Sequence, residues 1–223
     1  MKILHRLSSW LYPPKCVLCG RILEKDETDL CHHCRIHAPE CPVLRAKYPY
    51  LNSWVALWYY EDTVRRSLLR YKFYGKRSHA DTYARLLGMK LLREDMTDFD
   101  ILTYIPISAK RRRKRGFDQV ELLAEKLGSQ IGITPHALLK KLRDNPAQSG
   151  IAGQAERRAN VLGVYAVPDP ARMKGKRILL LDDIITTGAT ASECARVLLT
   201  AGAKEVHLAV IAAARQHKKV SRG

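Results

Sequence analysis

The sequence lacks a long apolar run. No stretch approaches the roughly 20 apolar residues that a membrane-spanning helix requires, and the N-terminal segment MKILHRLSSWLYPPK is interrupted by Arg6, Ser8, Ser9 and Pro13. The segment therefore does not match a signal peptide, which needs an apolar core and a cleavage site of small residues. From these absences we expect a soluble, cytoplasmic protein without a membrane span.

Acidic residues are scarce relative to basic ones. The 223 residues include 22 Asp and Glu against 39 Lys and Arg, which gives a formal net charge of +17. An excess of this size says little about the fold, but it predicts a surface that attracts polyanions such as nucleic acid, phosphorylated metabolites or acidic membrane. Hydrophobic residues make up 46% of the chain, so a globular core is expected.

Cysteine is nearly absent beyond residue 41, where only Cys194 occurs and is expected to be a small core residue. Near the N-terminus, CVLCG at 16–20 and CHHC at 31–34 give the spacing Cys-x2-Cys-x11-Cys-x2-Cys. In a reducing compartment, two such pairs favour a tetrahedral metal site over disulfides. We therefore predict a structural zinc ion bound by Cys16, Cys19, Cys31 and Cys34.

Alternatives to this metal site stay open at the level of sequence. The first cysteine pair alone could be redox-active, and His32 or His33 could replace a thiolate. A fifth N-terminal cysteine, Cys41, has no partner in this pattern, so we expect no second metal ion there.

The composition changes near residue 50. Residues 1–50 hold the cysteine pairs and have too little apolar content to bury a core alone. Stabilisation of this segment by a bound metal ion is therefore physically reasonable. In residues 51–223, runs of strand character alternate with helical periodicity, which predicts an α/β fold with a parallel, doubly wound sheet. We therefore expect a small cysteine-rich zinc-binding module in residues 1–50 and a larger domain in residues 51–223.

The expected elements follow from apolar periodicity. Strands are predicted over residues 54–60, 100–108, 164–167, 177–183 and 205–213. Helices are predicted over residues 63–74, 80–93, 116–127 and 190–201.

The segment ILLLDDIITTGAT at 178–190 gives the strongest functional signal. Asp182 and Asp183 follow a buried strand, at the edge where open α/β sheets bind ligands. A glycine turn, threonine hydroxyls and the N-terminus of the next helix can then hold a phosphate monoester. The residues of this loop are Thr186, Thr187, Gly188, Ala189 and Thr190. The two carboxylates beside the loop suit the vicinal hydroxyls of a ribose.

Two other interpretations of this segment compete with phosphoribosyl binding. A Walker B strand would need a GxxxxGK[ST] partner, which the sequence does not contain. A strand–turn–helix corner without a ligand is the simpler alternative. The length of the segment 178–190, and the fit of its residues to one ligand, favour a binding site.

Two further polar segments are candidates for ligand binding. Five consecutive cations, Arg111 to Arg115, form either a solvated charge run or a basic loop that meets pyrophosphate, for which we choose Arg111 and Arg115. The polar stretch 143–167 is either a lid that contributes Gln148 and Arg158 or a merely mobile loop.

ILLLDDIITTGAT resembles the diphosphoribosyl-binding motif of type I phosphoribosyltransferases. The resemblance implies that Asp182 and Asp183 bind the ribose hydroxyls at the catalytic centre, and that residues 186–190 hold the 5-phosphate of 5-phosphoribosyl-1-diphosphate. It also implies a magnesium ion that bridges diphosphate and ribose oxygens. Such enzymes displace pyrophosphate through an oxocarbenium-like transition state, so the protein mainly positions the reactants and neutralises the leaving group.

Together with PIS…RRRKRGFDQ, the stretch from Gln148 to Asn160 and WYYEDTVRRSLLRYKFYGKR at 58–77, this motif resembles the ComF-type competence proteins and the related GntX-like proteins. The resemblance covers nearly the whole chain. It implies a type I phosphoribosyltransferase fold, a parallel sheet flanked by helices, behind an N-terminal zinc-ribbon-like module. It further implies a role in DNA uptake for natural transformation, with single-stranded DNA as ligand and a helicase-like competence partner.

Three functions stay open. The first is an active phosphoribosyltransferase of nucleotide metabolism with an unknown acceptor, for which Tyr104 and Phe117 are the candidates to stack a base. The second is a protein that handles single-stranded DNA through its basic face and exposed aromatic residues. The third is a non-catalytic sensor of the diphosphate sugar. We expect a combination of the first two: a phosphoribosyltransferase-domain protein that binds both the diphosphate sugar and single-stranded DNA.

Overall fold

A four-stranded parallel sheet forms the centre of the protein. The computed structural model describes residues 13–42, 48–144 and 154–215. The strands in these ranges are β1 (Ser53–Tyr59), β2 (Ile101–Tyr104), β3 (Lys140–Lys141), β4 (Tyr165–Ala166), β5 (Arg177–Ile185) and β6 (Glu205–Ala213). The central sheet has the order β1-β6-β5-β2, and all its neighbours run parallel.

Helices cover both faces of this sheet. The helices in the described ranges are α1 (His32–His37), α2 (Asp62–Phe73), α3 (His79–Arg93), α4 (Ala109–Arg115), α5 (Gln119–Ile131), α6 (Gln154–Val161) and α7 (Ala189–Thr200). No described helix is both long and apolar enough to span a bilayer.

The central strand β5 divides the core into two layers, because successive side chains of a strand point to opposite faces. Leu179 and Leu181 pack in the layer that contains the apolar residues of α2, α3 and α5. Ile178 and Leu180 pack in the other layer, with α7 and the fully buried Cys194. The predicted α/β fold with a parallel sheet flanked by helices is therefore confirmed.

The expected strand at 164–167 is shorter and lies outside the central sheet. It is β4, which pairs antiparallel with β3 in a separate two-stranded ribbon. Apolar residues predict a strand here, but a local pattern cannot indicate which strand it pairs with.

The basic segment predicted as a loop forms helix α4 instead. Ser108 caps its N-terminus by accepting a hydrogen bond from the backbone N–H of Arg111 at 3.3 Å. Gly116 ends it in the left-handed conformation, with φ of 77°. The next helix begins at Gln119 rather than Gly116, because Asp118 caps it with its carboxylate.

The cysteine-rich segment packs directly on helix α2. Val17 and Leu18 belong to the same apolar cluster as Leu68. Ser67 Oγ donates to the carbonyl oxygen of Val17, and Arg70 Nη2 donates to that of Leu18 at 2.6 Å. The described part of this segment therefore shares a core with the sheet, and a domain boundary at residue 50 stays a prediction.

Candidate functional site

A cavity opens at the carboxyl ends of β2 and β5. Its volume of about 550 Å³ lies within the range of roughly 300–1,000 Å³ for small-molecule sites. Nine of the residues predicted to bind ligand line this one cavity: Arg111, Arg115, Asp182, Asp183, Thr186, Thr187, Gly188, Ala189 and Thr190.

A chain of hydrogen bonds fixes the Asp183 carboxylate in the cavity. Lys72 Nζ lies 2.8 Å from Asp183 Oδ1, and Gln119 Nε2 donates to Oδ2 at 2.6 Å. Gln119 is oriented in turn by Arg115, whose Nη1 donates to Gln119 Oε1 at 2.6 Å. Each of these three bonds has at least one charged partner, and charge-assisted hydrogen bonds in a partly buried setting are strong and well directed.

Asp182 presents the second carboxylate of the pair. Its Oδ1 accepts a hydrogen bond from the backbone N–H of Asp183 at 2.8 Å. Burial, and next the negative charge of Asp183, raise the pKa of Asp182 well above its ordinary value, while the positive charge of Lys72 opposes that rise. A hydroxyl donor or a cation at this carboxylate would relieve the repulsion within the pair.

The predicted phosphate loop, residues 186–190, is built around Gly188. This residue has φ of 77° and immediately precedes helix α7. A β-carbon at this position would lie within 2.5 Å of Tyr48 Cε1 and 3.0 Å of Tyr48 Cγ, so the glycine also makes room for the tyrosine ring. Tyr48 itself packs edge-on against Trp54, with ring centroids 5.3 Å apart. The loop thus has a rigid aromatic support and the positive end of a helix dipole beside it.

The remaining polar wall of the cavity is cationic. Among the residues that the structure describes, five basic side chains and two carboxylates line the cavity, a formal excess of three positive charges. Burial lowers the pKa of Arg115 and of Lys141, so an anion in the cavity would stabilise their charged forms. The five basic residues are Lys72, Arg111, Lys114, Arg115 and Lys141.

The ribbon of β3 and β4 contributes another wall. Lys141 Nζ lies 5.3 Å from the ring centroid of Tyr165 and 3.4 Å from its hydroxyl oxygen. Both side chains line the cavity, so this wall presents a cation and the aromatic ring of Tyr165. Neither residue stands out in the sequence, because a two-residue strand gives no periodic signal.

Some predicted residues do not line the cavity. Tyr104 is buried with its hydroxyl donating to Glu121 Oε1 at 2.8 Å, and Phe117 packs against Tyr71 with ring centroids 6.0 Å apart. Gln148 lies outside the described residues. Arg158 falls on helix α6, but its side chain also lies outside what the structure describes.

A second site is formed by the four cysteines of the N-terminal pattern. The sulfur atoms of Cys16, Cys19, Cys31 and Cys34 lie within 4.8 Å of one another, and those of Cys19 and Cys31 are 3.7 Å apart. Tetrahedral coordination with metal–sulfur bonds of about 2.3 Å requires sulfur–sulfur distances of about 3.8 Å. The four thiols are therefore placed to bind a structural metal ion. Cys41 is fully buried in the other layer of the core.

The comparisons with known proteins agree with this geometry. Residues 114–223 match the family described as "Phosphoribosyl transferase domain". The chain is 30% identical to the competence protein ComFC of Streptococcus pneumoniae, over 86% of this chain and 96% of that protein. It is 26% identical to the DNA utilization protein YhgH of Escherichia coli O157:H7, over 86% of this chain and 87% of that protein.

Among solved structures, the allosteric regulatory enzyme of purine biosynthesis is similar over 64% of this chain and 29% of its own, with 23% identity and a TM-score of 0.42. The domain match and the extent of the similarity to ComFC define the relationship. The chain belongs to the ComF family and carries a phosphoribosyltransferase domain.

Proposed function

We propose that this protein binds 5-phosphoribosyl-1-diphosphate in the cavity described above. The observation that carries the proposal is that a carboxylate pair and a glycine-containing phosphate loop open into one cavity whose remaining polar wall is cationic. The 5-phosphate would lie on residues 186–190, where backbone N–H groups and the N-terminus of α7 face it. The ribose hydroxyls would lie at Asp182 and Asp183.

The diphosphate would lie against the basic side chains of helix α4. Arg111, Lys114 and Arg115 all line the cavity, and clustered cations neutralise a pyrophosphate as it accumulates charge. Magnesium would accompany the sugar, held by the oxygens of the ligand. Gln148 and Arg158 stay predicted contributors to the same site.

Calorimetric titration of the metal-loaded protein with the diphosphate sugar and magnesium tests this proposal. We expect micromolar binding by the native chain and its loss in the double variant Asp182→Asn, Asp183→Asn. The matched control is Asp169→Asn, because Asp169 is exposed and does not line the cavity. Unchanged affinity in the double variant would show that the carboxylates do not bind the ribose.

The titration also separates the functions that share this site. Release of pyrophosphate on addition of an acceptor would identify a phosphoribosyltransferase. Tight binding of the sugar without release of pyrophosphate, across an acceptor screen, would identify a sensor of the diphosphate sugar.

We propose in addition that the outer face of helix α4 binds single-stranded DNA. Lys110, Arg112 and Arg113 are exposed there. The last residue of α4 contacts the last residue of α2, because the Arg115 guanidinium lies 4.8 Å from the Phe73 ring centroid. Phe73 is 53% exposed, and Tyr74, which follows it, is 72% exposed. Cations beside exposed aromatic rings are typical of surfaces that bind single strands, since the phosphates meet the cations and the bases stack.

The names of the two relatives, a competence protein and a DNA utilization protein, support a role of this kind. Fluorescence anisotropy with a labelled oligonucleotide tests it across a range of salt concentrations. We expect affinity to fall steeply as salt rises, because counterions are released on binding. Affinity that is independent of salt, or no binding at low salt, would refute the proposal. The helicase-like partner stays a prediction.

The metal at the four cysteines is proposed to be zinc. Four thiolates at the distances of tetrahedral coordination suit a closed structural zinc site. Cysteines without disulfide bonds suit a reducing compartment such as the cytoplasm, where we propose that the protein acts. Elemental analysis of the purified protein should give one zinc per chain. Another metal in its place would contradict this assignment.

A further inference from the structure

The Asp183 carboxylate is already neutralised by a cation of the chain itself. Lys72 Nζ lies 2.8 Å from Asp183 Oδ1, and the two side chains are only 15% and 9% exposed. The other carboxylate oxygen accepts a hydrogen bond from Gln119 Nε2 at 2.6 Å. Both oxygens of Asp183 therefore have protein donors, and one of those donors carries a full positive charge.

The ammonium is held in this position by helix α2. Tyr71, which precedes Lys72, is fully buried, and its hydroxyl donates to the backbone carbonyl of Gln119. One residue earlier, Arg70 donates to the carbonyl oxygen of Leu18 at 2.6 Å. Because both neighbours are tied to other segments, the last turn of the helix is fixed and Lys72 is preorganised toward the cavity.

The ammonium of Lys72 can reduce the repulsion between the carboxylate pair and an anionic ligand. Two adjacent carboxylates would repel a sugar that carries a monophosphate and a diphosphate, because like charges repel most strongly where solvent is partly excluded. A divalent ion can remove that repulsion, and so can an ammonium that lines the same cavity. An ion coordinated directly by Asp183 would have to displace Lys72 or lie beside its like charge.

We propose that Lys72 is the built-in cation of the sugar site. Its ammonium bridges Asp183 and an oxygen of the bound phosphoribosyl diphosphate, so that affinity for this ligand does not require a divalent ion. The inference rests on the binding function proposed above and adds to it the residue that replaces a metal ion at the carboxylate pair.

The test is the dissociation constant of 5-phosphoribosyl-1-diphosphate, measured by calorimetry with magnesium and in magnesium-free solutions. Buffers and sugar are passed over a chelating resin before the protein is added, so that the metal at the cysteines is not extracted. The native protein should bind with an affinity that changes by less than about threefold between the two conditions.

Variants at Lys72 separate the charge from the side chain. Lys72→Met should weaken binding about tenfold or more without magnesium, because a hydrogen bond to a charged group is lost. Magnesium should restore most of that affinity by entering the vacated place. Lys72→Arg should bind without magnesium nearly as the native protein does. The matched control is Lys76→Met, an exposed lysine that does not line the cavity.

Each outcome decides between the two proposals. A native protein that binds only with magnesium, or a Lys72→Met variant that equals the native protein without it, overturns the role of Lys72 and leaves the binding function intact. Absence of binding by the native protein in both conditions overturns the binding function itself. The native titrations need no variant, so they decide even if Lys72→Met unfolds, which circular dichroism would show.

Discussion

Replacing Gly188 by Ala should destabilise the protein in two ways, through backbone strain and through a clash with Tyr48. The residue has φ of +77°, and a β-carbon would lie 2.5 Å from Tyr48 Cε1 and 3.0 Å from Tyr48 Cγ. The left-handed conformation costs an alanine about 1–2 kcal/mol. Displacing a ring that is 6% exposed adds about 1–3 kcal/mol, as other overpacked cores do. The free energy of unfolding should therefore fall by about 2–5 kcal/mol.

Gly175→Ala separates the two contributions. Gly175 has a similar φ of +71°, but nothing lies within 4 Å of the β-carbon that would be added. This control should cost only the conformational part, about 1–2 kcal/mol. The difference between the two variants then measures the contact with Tyr48 alone.

Urea denaturation followed by tryptophan fluorescence gives both values, because Trp54 and Trp58 are buried. The double variant Gly188→Ala, Tyr48→Ala should lose less stability than the sum of the losses in the two single variants, since the smaller side chain removes the clash. Affinity for the diphosphate sugar should fall in Gly188→Ala and not in Gly175→Ala. If Gly188→Ala costs no more stability than Gly175→Ala, the tyrosine ring does not support the phosphate loop and the reasoning is wrong.

Three further predictions concern the metal, the DNA and the pH dependence. Cys34→Ser should lower both the bound zinc and the melting temperature, measured by elemental analysis and circular dichroism, and an unchanged melting temperature would rule out a structural metal. The double variant Lys110→Gln, Arg113→Gln should reduce the slope of log affinity for single-stranded DNA against log salt by roughly 1.4, and an unchanged slope would exclude both residues from the interface. Burial, followed by nearby positive charges, lowers the pKa of His79 from 6.5 to about 4. Between pH 6.5 and about 4, the folded state therefore binds fewer protons than the unfolded chain. The free energy of unfolding should decline as the pH falls through that range. His79→Leu should flatten that decline in melting temperature, and an identical pH profile would contradict the assignment.

Local patterns in the sequence predicted most strand and helix bounds. The strand expected at 205–213 is found at Glu205–Ala213. The strand expected at 177–183 extends to Ile185, because Ile184 and Ile185 pair with the end of β6. That the two carboxylates and residues 186–190 line the same cavity was also predictable, since they lie within one short segment.

Helix α4 could have been predicted from signals that were present. Ser108 is a good N-cap residue and Gly116 a typical residue after a helix end, and both act locally. The intervening run of cations obscured them, because like charges on a short helix repel and favour a loop in isolation. The tertiary structure relieves part of that repulsion, for example by pairing Arg112 with Glu121 at 2.8 Å.

Lys72 and Gln119 could not be assigned from sequence. They are 111 and 64 positions away from Asp183. The segments that contain them carry the family resemblance but indicate no ligand role for either side chain. A lysine near the end of an amphipathic helix usually faces solvent. Only the packing of α2 and α5 against the carboxyl end of β5 brings these side chains to the carboxylate.

Helix α2 connects the cysteine site with the cavity. Arg70 donates to the carbonyl oxygen of Leu18, which lies between the first two cysteines, while Lys72 reaches Asp183. Residues two positions apart point to different sides of a helix, so one turn can contact both sites. The chain beyond this turn is exposed at Phe73 and Tyr74, and without a support the end of α2 would fray. By bracing that turn, the cysteine-rich segment keeps the ammonium of Lys72 at the carboxylate on which ligand binding is proposed to depend.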